Sequence, residues 1–320
     1  MSAVLRDSLS AGARGPKESS CAEPLVVWGA LVFVAACVIE TYARLPVGEL
    51  YHVSRSGATG GFSRALVLVD FPIALVAIGL ALIAFDALGG RLAAGLALGS
   101  VLLSATVAWP GIVDQADLDA RAVNALPALG VALALALTFW ATRSATPAFA
   151  ERLPLDRARI VVAVCLVIAG LPWLFAEAGF SISQIPGLSS VFLGDQIRAS
   201  GGGETLRVVH LGHHHGADGL YLALTALLLS RVLSRLDRVR ALVSAYLALM
   251  LAYGLANFTQ DFWTEQIVKR GWTDHTIPSL LHPSLSIGWA CIIAFAVALE
   301  LGAFRPERRR TRGQETEKPA

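Results

Sequence analysis

The sequence predicts an all-α, polytopic integral membrane protein with about eight transmembrane helices and both termini in the cytoplasm. Of its 320 residues, 55% are hydrophobic and only 16% are charged. The mean hydropathy is +0.61, which lies well outside the balance of a soluble domain. Long apolar runs recur along the chain, and a bilayer core needs roughly 20 apolar residues in a helix. The predicted partner is therefore the lipid bilayer, and the predicted location is the cell membrane.

Eight apolar runs are long enough to cross a bilayer, or nearly so. They are Leu25 to Ala43, Ala65 to Ala87, Leu92 to Val113, Ala122 to Thr142, Ile160 to Phe180, Val208 to Ser230, Ala241 to Phe258, and Pro283 to Phe304. The sixth is ambiguous, because its continuous apolar part is too short to span without neighbouring histidines or arginines. We expect residues 1–24 to be a disordered cytoplasmic tail, residues 25–304 to be the transmembrane domain, and residues 305–320 to be a basic cytoplasmic tail.

The orientation follows from the distribution of basic residues between the two sides of this arrangement. Eighteen of the 26 Lys and Arg residues fall on the side that holds both termini. The other side holds the remaining eight, which are Arg44, Arg55, Arg64, Arg121, Arg198, Arg207, Lys269 and Arg270. Because cytoplasmic loops carry the excess of positive charge, both termini are predicted to be cytoplasmic.

Composition argues against nucleic acid and against a cysteine-based metal site. The net charge is only +2, and the basic residues form short clusters beside apolar runs instead of a stripe that would follow phosphates. The four cysteines are far apart, with no C-x-x-C pair. We therefore expect no nucleic-acid partner, and we interpret the cysteines as structural.

All seven histidines fall on the predicted external side. They are His52, His210, His213, His214, His215, His275 and His282. Several acidic residues occupy a similar depth, among them Glu40, Asp70, Glu177 and Asp218. Ionisable groups within a bilayer normally face the interior of the bundle or a water-filled cavity. The pattern predicts a polar cavity that is open to the outside.

The densest stretch predicts a metal site. If the segment is helical, His210, His214 and Asp218 are spaced i, i+4, i+8 and share a face, with His213 beside them. His282 is a further candidate ligand, and imidazole suits a divalent transition metal such as zinc, iron or copper. The alternatives are a Gly-rich loop that precedes a helix capped by Asp218, or histidines that are simply solvated.

Glu40 and Asp70 are the candidate catalytic residues. Two carboxylates inside predicted spans would handle protons as a general acid and base. The equally weighted alternative is that each forms a structural pair, with Arg44 or with Arg64. Further along, the run Asn257 to Trp272 mixes aromatic and polar residues, which favours an interfacial belt or amphipathic helix and leaves a substrate lid as the alternative.

The motifs identify no family. The segment from His210 to His214 matches the H-x-x-H-H form of one histidine box in membrane desaturases and hydroxylases, but those enzymes need several boxes and no second box is present. The sequence also contains no H-E-x-x-H, G-x-S-x-G or P-loop motif.

The leading functional hypothesis is a metal-dependent enzyme, a hydrolase or an oxidoreductase, that acts at the external face on a lipid or apolar small molecule. The alternatives are a cation or proton-coupled transporter and a b-type haem or quinone protein.

Overall fold

The computed structural model confirms a predominantly helical architecture. It describes residues 22–46, 50, 54–109, 111–114, 117, 119–143, 147–180, 186, 197–199, 205–207 and 214–304. Within these ranges, eight helices are long and apolar enough to cross a bilayer, which agrees with the predicted number. Both predicted tails fall almost wholly outside the described residues. The orientation of the termini stays a prediction.

The eight helices follow one another along the chain with short 3₁₀ or π-helical turns at several ends. They are α1 (Ala22–Arg44), α2 (Gly57–Leu88), α3 (Gly90–Ala108), α4 (Ala122–Arg143), α5 (Asp156–Glu177), α6 (His215–Arg235), α7 (Arg240–Val268) and α8 (Ile287–Phe304). Between α5 and α6, two short strands, β1 (Ile197–Ala199) and β2 (Thr205–Arg207), pair in antiparallel register.

The outer surface of the bundle is apolar, as contact with lipid requires. Large hydrophobic side chains such as Phe33, Leu98, Phe139 and Ile293 are more than half exposed. A soluble monomer rarely exposes contiguous apolar area on this scale. The arrangement therefore supports a multi-pass membrane protein.

Helices α2 and α6 form the centre of the bundle and are the most buried of the eight. Helix α6 packs along α7, and Gly219 and Gly254 permit a close approach of the two backbones. A Cβ added at Gly219 would lie 2.5 Å from the backbone nitrogen of Phe258 and 2.6 Å from the carbonyl oxygen of Gly254. Small residues commonly let membrane helices approach closely in this way.

Helix α2 is interrupted at its centre. An α-helix over Gly57–Leu68 passes into a π-helical segment, Val69–Ile73, and then into a second α-helix, Ala74–Leu88. Phe71 has extended backbone angles (φ −163°, ψ 116°), and Pro72 follows it. Proline removes a backbone donor and crowds the preceding turn, so it interrupts helices in this way. The break places Asp70 at a discontinuity inside the bundle.

Three predicted boundaries differ from the structure by seven residues or more. Helix α2 begins at Gly57, eight residues before the predicted start at Ala65, since small residues there pack against α1. Helix α6 begins at His215 and not at Val208, and its length is made up at the other end, through Arg235. Helix α7 runs on to Val268, so most of the predicted interfacial segment continues the helix and is not a separate lid.

The two ends of the bundle differ in chemistry. One end, here called the arginine end, contains Arg231, which pairs with the buried carboxylate of Glu23 and with Asp156. At the same end Asp86 accepts hydrogen bonds from the backbone N–H groups of residues 237–239, where α7 begins. The opposite end, here called the histidine end, contains the start of α6 and the end of α7.

Candidate functional site

A small polar cavity lies at the histidine end, beside the break in α2. Its volume is about 10 Å³, which is close to the space needed by one water molecule. It is lined by Arg64, Val67, Asp70 and Phe71 from α2, by Val113 and Asp114 from the α3–α4 connection, and by His215 and Asp218 from α6. Four charged side chains and one histidine therefore meet around a space of this size.

Asp70 is the cavity residue whose buried charge has the fewest hydrogen bonds. Its side chain is fully buried, and neither carboxylate oxygen has a hydrogen-bond partner among the residues that the structure describes. The amide side chain of Asn124 lies beside it without reaching that geometry. A buried polar group without a partner costs roughly 1–3 kcal/mol. The buried Asp70 carboxylate therefore lowers the stability of the fold.

Arg64 lies about one and a half helical turns before Asp70 and is also buried, with 1% of its surface exposed. Its guanidinium group lies over the ring of Tyr42 from α1, 5.7 Å from the ring centroid. This contact holds the cation toward the interior of the bundle. The cavity consequently contains a positive group within an otherwise acidic lining.

His215 and Asp218 form a hydrogen-bonded pair in the first turn of α6. The Nδ1 atom of His215 lies 3.1 Å from Oδ2 of Asp218, and Asp218 is fully buried. A carboxylate at Nδ1 favours the tautomer that carries its proton there, which leaves Nε2 as an acceptor. The pair is thus oriented in the manner of an acid–base dyad.

Helix α7 anchors the start of α6 and so positions that pair. Asp261 accepts a hydrogen bond from the backbone N–H of Gly216, at 2.7 Å between Oδ2 and N. Asn257 donates from Nδ2 to the carbonyl oxygen of His215, at 3.1 Å. An acidic side chain at a helix N-terminus satisfies free N–H groups and complements the helix dipole. These two residues therefore have a positioning role.

An apolar chamber adjoins the polar cavity. It has a volume of about 220 Å³ and lies between α2, α3, α7, α8 and the α7–α8 connection. Phe71 lines both spaces, and its ring makes edge contacts with His215 and Tyr253, each at 6.3 Å between centroids. The broken turn of α2 therefore separates a polar compartment from an apolar one by a single aromatic side chain.

The predicted catalytic residues are separated in the structure. Asp70 lines the polar cavity, whereas Glu40 is exposed and forms an ion pair with Arg44, with 2.7 Å between Oε1 and Nε. This is the structural pairing that the sequence left open for Glu40. The alternative pairing of Asp70 with Arg64 is not formed through the Asp70 carboxylate, although both residues line the same cavity.

Three of the five predicted metal ligands lie within the described residues. His210 and His213 lie outside the described residues. His214 is the buried N-cap of α6 with extended backbone (φ −131°, ψ 143°), so the helix does not continue through His214 as the predicted i, i+4, i+8 spacing requires. His282 is exposed in the α7–α8 connection. Within the described part of the chain, no group of three or more His, Cys, Asp or Glu residues is arranged to hold a metal ion.

Four residues of the cavity were not predicted as site residues from the sequence. They are Arg64, Phe71, Asp114 and His215. The tripeptide Asp70-Phe71-Pro72 within an apolar run was an available signal, because proline and a carboxylate together in a span indicate a break that faces a cavity.

Comparison with models of protein families, with curated proteins and with solved structures finds no match for this chain.

Proposed function

We propose that this protein is a cell-membrane enzyme that acts at the external face on a lipid or apolar small molecule, with the acid–base groups of the polar cavity performing the chemistry. The observation that carries the proposal is the fully buried carboxylate of Asp70, which has no hydrogen-bond partner among the described residues. Intramembrane ionisable residues are costly and commonly functional. A catalytic role for Asp70 accounts for that cost.

Hydrolysis is the reaction that fits the cavity best. In this proposal Nε2 of His215 takes a proton from a water molecule, and the water oxygen bonds to a carbonyl carbon of the substrate. The proton then passes to the leaving oxygen as its bond to that carbon breaks. Arg64 would stabilise the negative charge that develops on the carbonyl oxygen, and Asp70 would hold the water.

Transport is less well supported by the same geometry. Beyond the break, the stretch 74–84 of α2 contains only apolar residues and glycine. The residues of α6 after Asp218 are also mostly apolar, and several are fully buried. A proton or cation pathway needs polar groups through the membrane thickness, so a site closed on its inner side favours an enzyme.

The metal-dependent form of the proposal rests on residues near the start of α6. His214 and Asp218 would hold a zinc, iron or copper ion only together with His210 or His213. When bound there, such an ion would lower the pKa of water and supply a nucleophile. Elemental analysis of purified protein tests this part: we expect about one metal ion per chain and its loss in His210→Ala.

If metal-free protein retains full activity, the metal-dependent form of the proposal is contradicted and the acid–base form is not. The visible spectrum of the same sample tests the b-type haem alternative, because bound haem produces a Soret band.

The main test is a search for the substrate among native lipids. Purified protein in nanodiscs made from a total lipid extract of its host is incubated, and lipids are compared by mass spectrometry over time. We expect one species to be consumed, and we expect Asp70→Asn and Asp218→Asn to lower the rate by about 100-fold or more. Asp274→Asn is the matched control, because Asp274 is an exposed acid in the α7–α8 connection.

Two results would contradict the enzyme. The first is that the wild type and Asp70→Asn cause the same changes in the lipid profile. The second is solute uptake into proteoliposomes that depends on Asp70 and proceeds with no chemical change in any lipid, which would establish the transport alternative.

A further inference from the structure

The apolar chamber has a lining that offers little to a polar ligand. The hydroxyl group of Tyr246 donates to the carbonyl oxygen of Leu75 at 2.5 Å, and that of Tyr253 donates to the carbonyl oxygen of Leu281 at 2.9 Å. Both phenol groups therefore present their rings to the chamber while their polar atoms are already bonded. Binding there therefore depends mainly on apolar contact, and the buried indole Nε1 of Trp289 is a lining donor without a partner among the described residues.

The same lining is aromatic on one side. Tyr253 stacks on Trp289 of α8, with ring centroids 5.4 Å apart and planes inclined by 24°. Phe71 meets Tyr253 edge-on at 6.3 Å. Fixed aromatic faces of this kind suit a flat or compact apolar group better than they suit a mobile polar one.

The volume limits what fits. An apolar protein cavity of about 150 Å³ accepts benzene, and sites for drug-sized molecules span about 300–1,000 Å³. A chamber of about 220 Å³ thus has room for one ring with a short substituent, or for a short branched chain. It does not enclose a whole membrane lipid.

The chamber lies next to the outer surface of the bundle. Leu249 of α7 lines the chamber and is 37% exposed on the apolar surface of the bundle. A molecule dissolved in the membrane would enter at this point without crossing water. Phe71 then lies at the inner end of the chamber, where the polar cavity begins.

We propose that the chamber binds an apolar ring or short branched chain of a bilayer-dissolved molecule, with its polar end directed past Phe71 toward Asp70. This inference rests on the proposed function, because it identifies the substrate class of that enzyme. The chamber supplies apolar binding, and the Phe71 ring separates the bound hydrocarbon from the reacting groups.

The test uses 3-trifluoromethyl-3-phenyldiazirine, an apolar photoreactive ring, with the full-length protein in nanodiscs. After irradiation, peptide mass spectrometry locates the labelled residues. We expect saturable labelling at Met250, which lines the chamber, against a non-saturable background at lipid-facing positions such as Phe33.

A chamber-filling variant provides the decisive comparison. Ala105 lines the chamber, and Ala105→Phe should lower the saturable labelling by at least about tenfold, since the new ring would occupy volume that the probe needs and a misfit of one methylene already changes binding about 10-fold or more. Ala298→Phe is the matched control, because Ala298 is exposed on α8. Ala108→Ile, which fills the same chamber, replaces Ala105→Phe if that variant does not fold.

Non-saturable labelling of Met250, or equal labelling in the wild type and a folded chamber-filling variant, would overturn the inference. Asp70→Asn separates the two proposals, because it should lower lipid turnover by about 100-fold or more and preserve the saturable labelling. Saturable labelling of a wild-type protein that turns over no lipid would support ligand binding in the chamber and contradict the proposed enzyme activity. Lipid turnover without saturable labelling would support the enzyme activity and contradict ligand binding in the chamber.

Discussion

Replacing Gly219 by alanine should loosen the contact between α6 and α7 that holds the candidate site together. The added Cβ would lie 2.5 Å and 2.6 Å from two backbone atoms of α7, whereas ordinary contacts are 3.4–4 Å. Neither obstacle is a side chain that can rotate away. The helices must therefore separate by about 1 Å to admit the methyl group, because their contact depends on small residues.

The magnitude follows from two opposing effects. Alanine favours a helix over glycine by up to about 1 kcal/mol, and overpacking costs typically 1–3 kcal/mol. We expect a net loss of about 1–2 kcal/mol in the free energy of unfolding, and Gly254→Ala should act alike because it meets the same contact from the other helix. Asp218 adjoins Gly219, so lipid turnover should fall as well.

The assay is reversible unfolding of purified protein in mixed detergent micelles, followed by tryptophan fluorescence. Gly95→Ala is the control, because no heavy atom lies within 4 Å of its added Cβ, and it should leave stability unchanged or raise it by up to about 1 kcal/mol. If Gly219→Ala proves as stable as Gly95→Ala, the proposed close packing of α6 on α7 is refuted.

Three further predictions concern buried and exposed charges. Asp70→Asn should raise the free energy of unfolding by about 1 kcal/mol, because a neutral amide costs less to bury than an unpartnered carboxylate; a loss of stability would mean that Asp70 instead balances Arg64. Arg231→Met should lower the free energy of unfolding by about 3 kcal/mol, because it leaves the buried Glu23 carboxylate without its cation. The control Arg235→Met loses a single hydrogen bond to a carbonyl oxygen and should lower it by about 1 kcal/mol. Equal effects of the two substitutions would contradict the importance of the Arg231–Glu23 pair. Glu40→Gln should change stability by less than about 1 kcal/mol, since its pair with Arg44 is exposed. The same micelle unfolding assay measures all three.

The predicted histidine site and the observed cavity overlap without being identical. The sequence drew attention to Asp70 and to the region of Asp218, because charges inside apolar runs are conspicuous, and both residues line the observed cavity. It did not single out His215, since that choice depends on where α6 begins. A helix that starts at His215 places this residue and Asp218 in the same first turn, and the glycines before it made several starts equally plausible from local propensity alone.

The number of helices and their apolar surfaces were determined by the sequence alone. A span is a local property of about 20 residues, so counting apolar runs was sufficient to predict eight of them. The tertiary structure alone decided that Arg64, Asp70, Asp114 and His215 share one cavity, and that Phe71 divides it from an apolar chamber. Those neighbours come from elements far apart in the chain. Their meeting depends on the break at Phe71 and on the close backbone contact at Gly219, which hydropathy patterns do not encode.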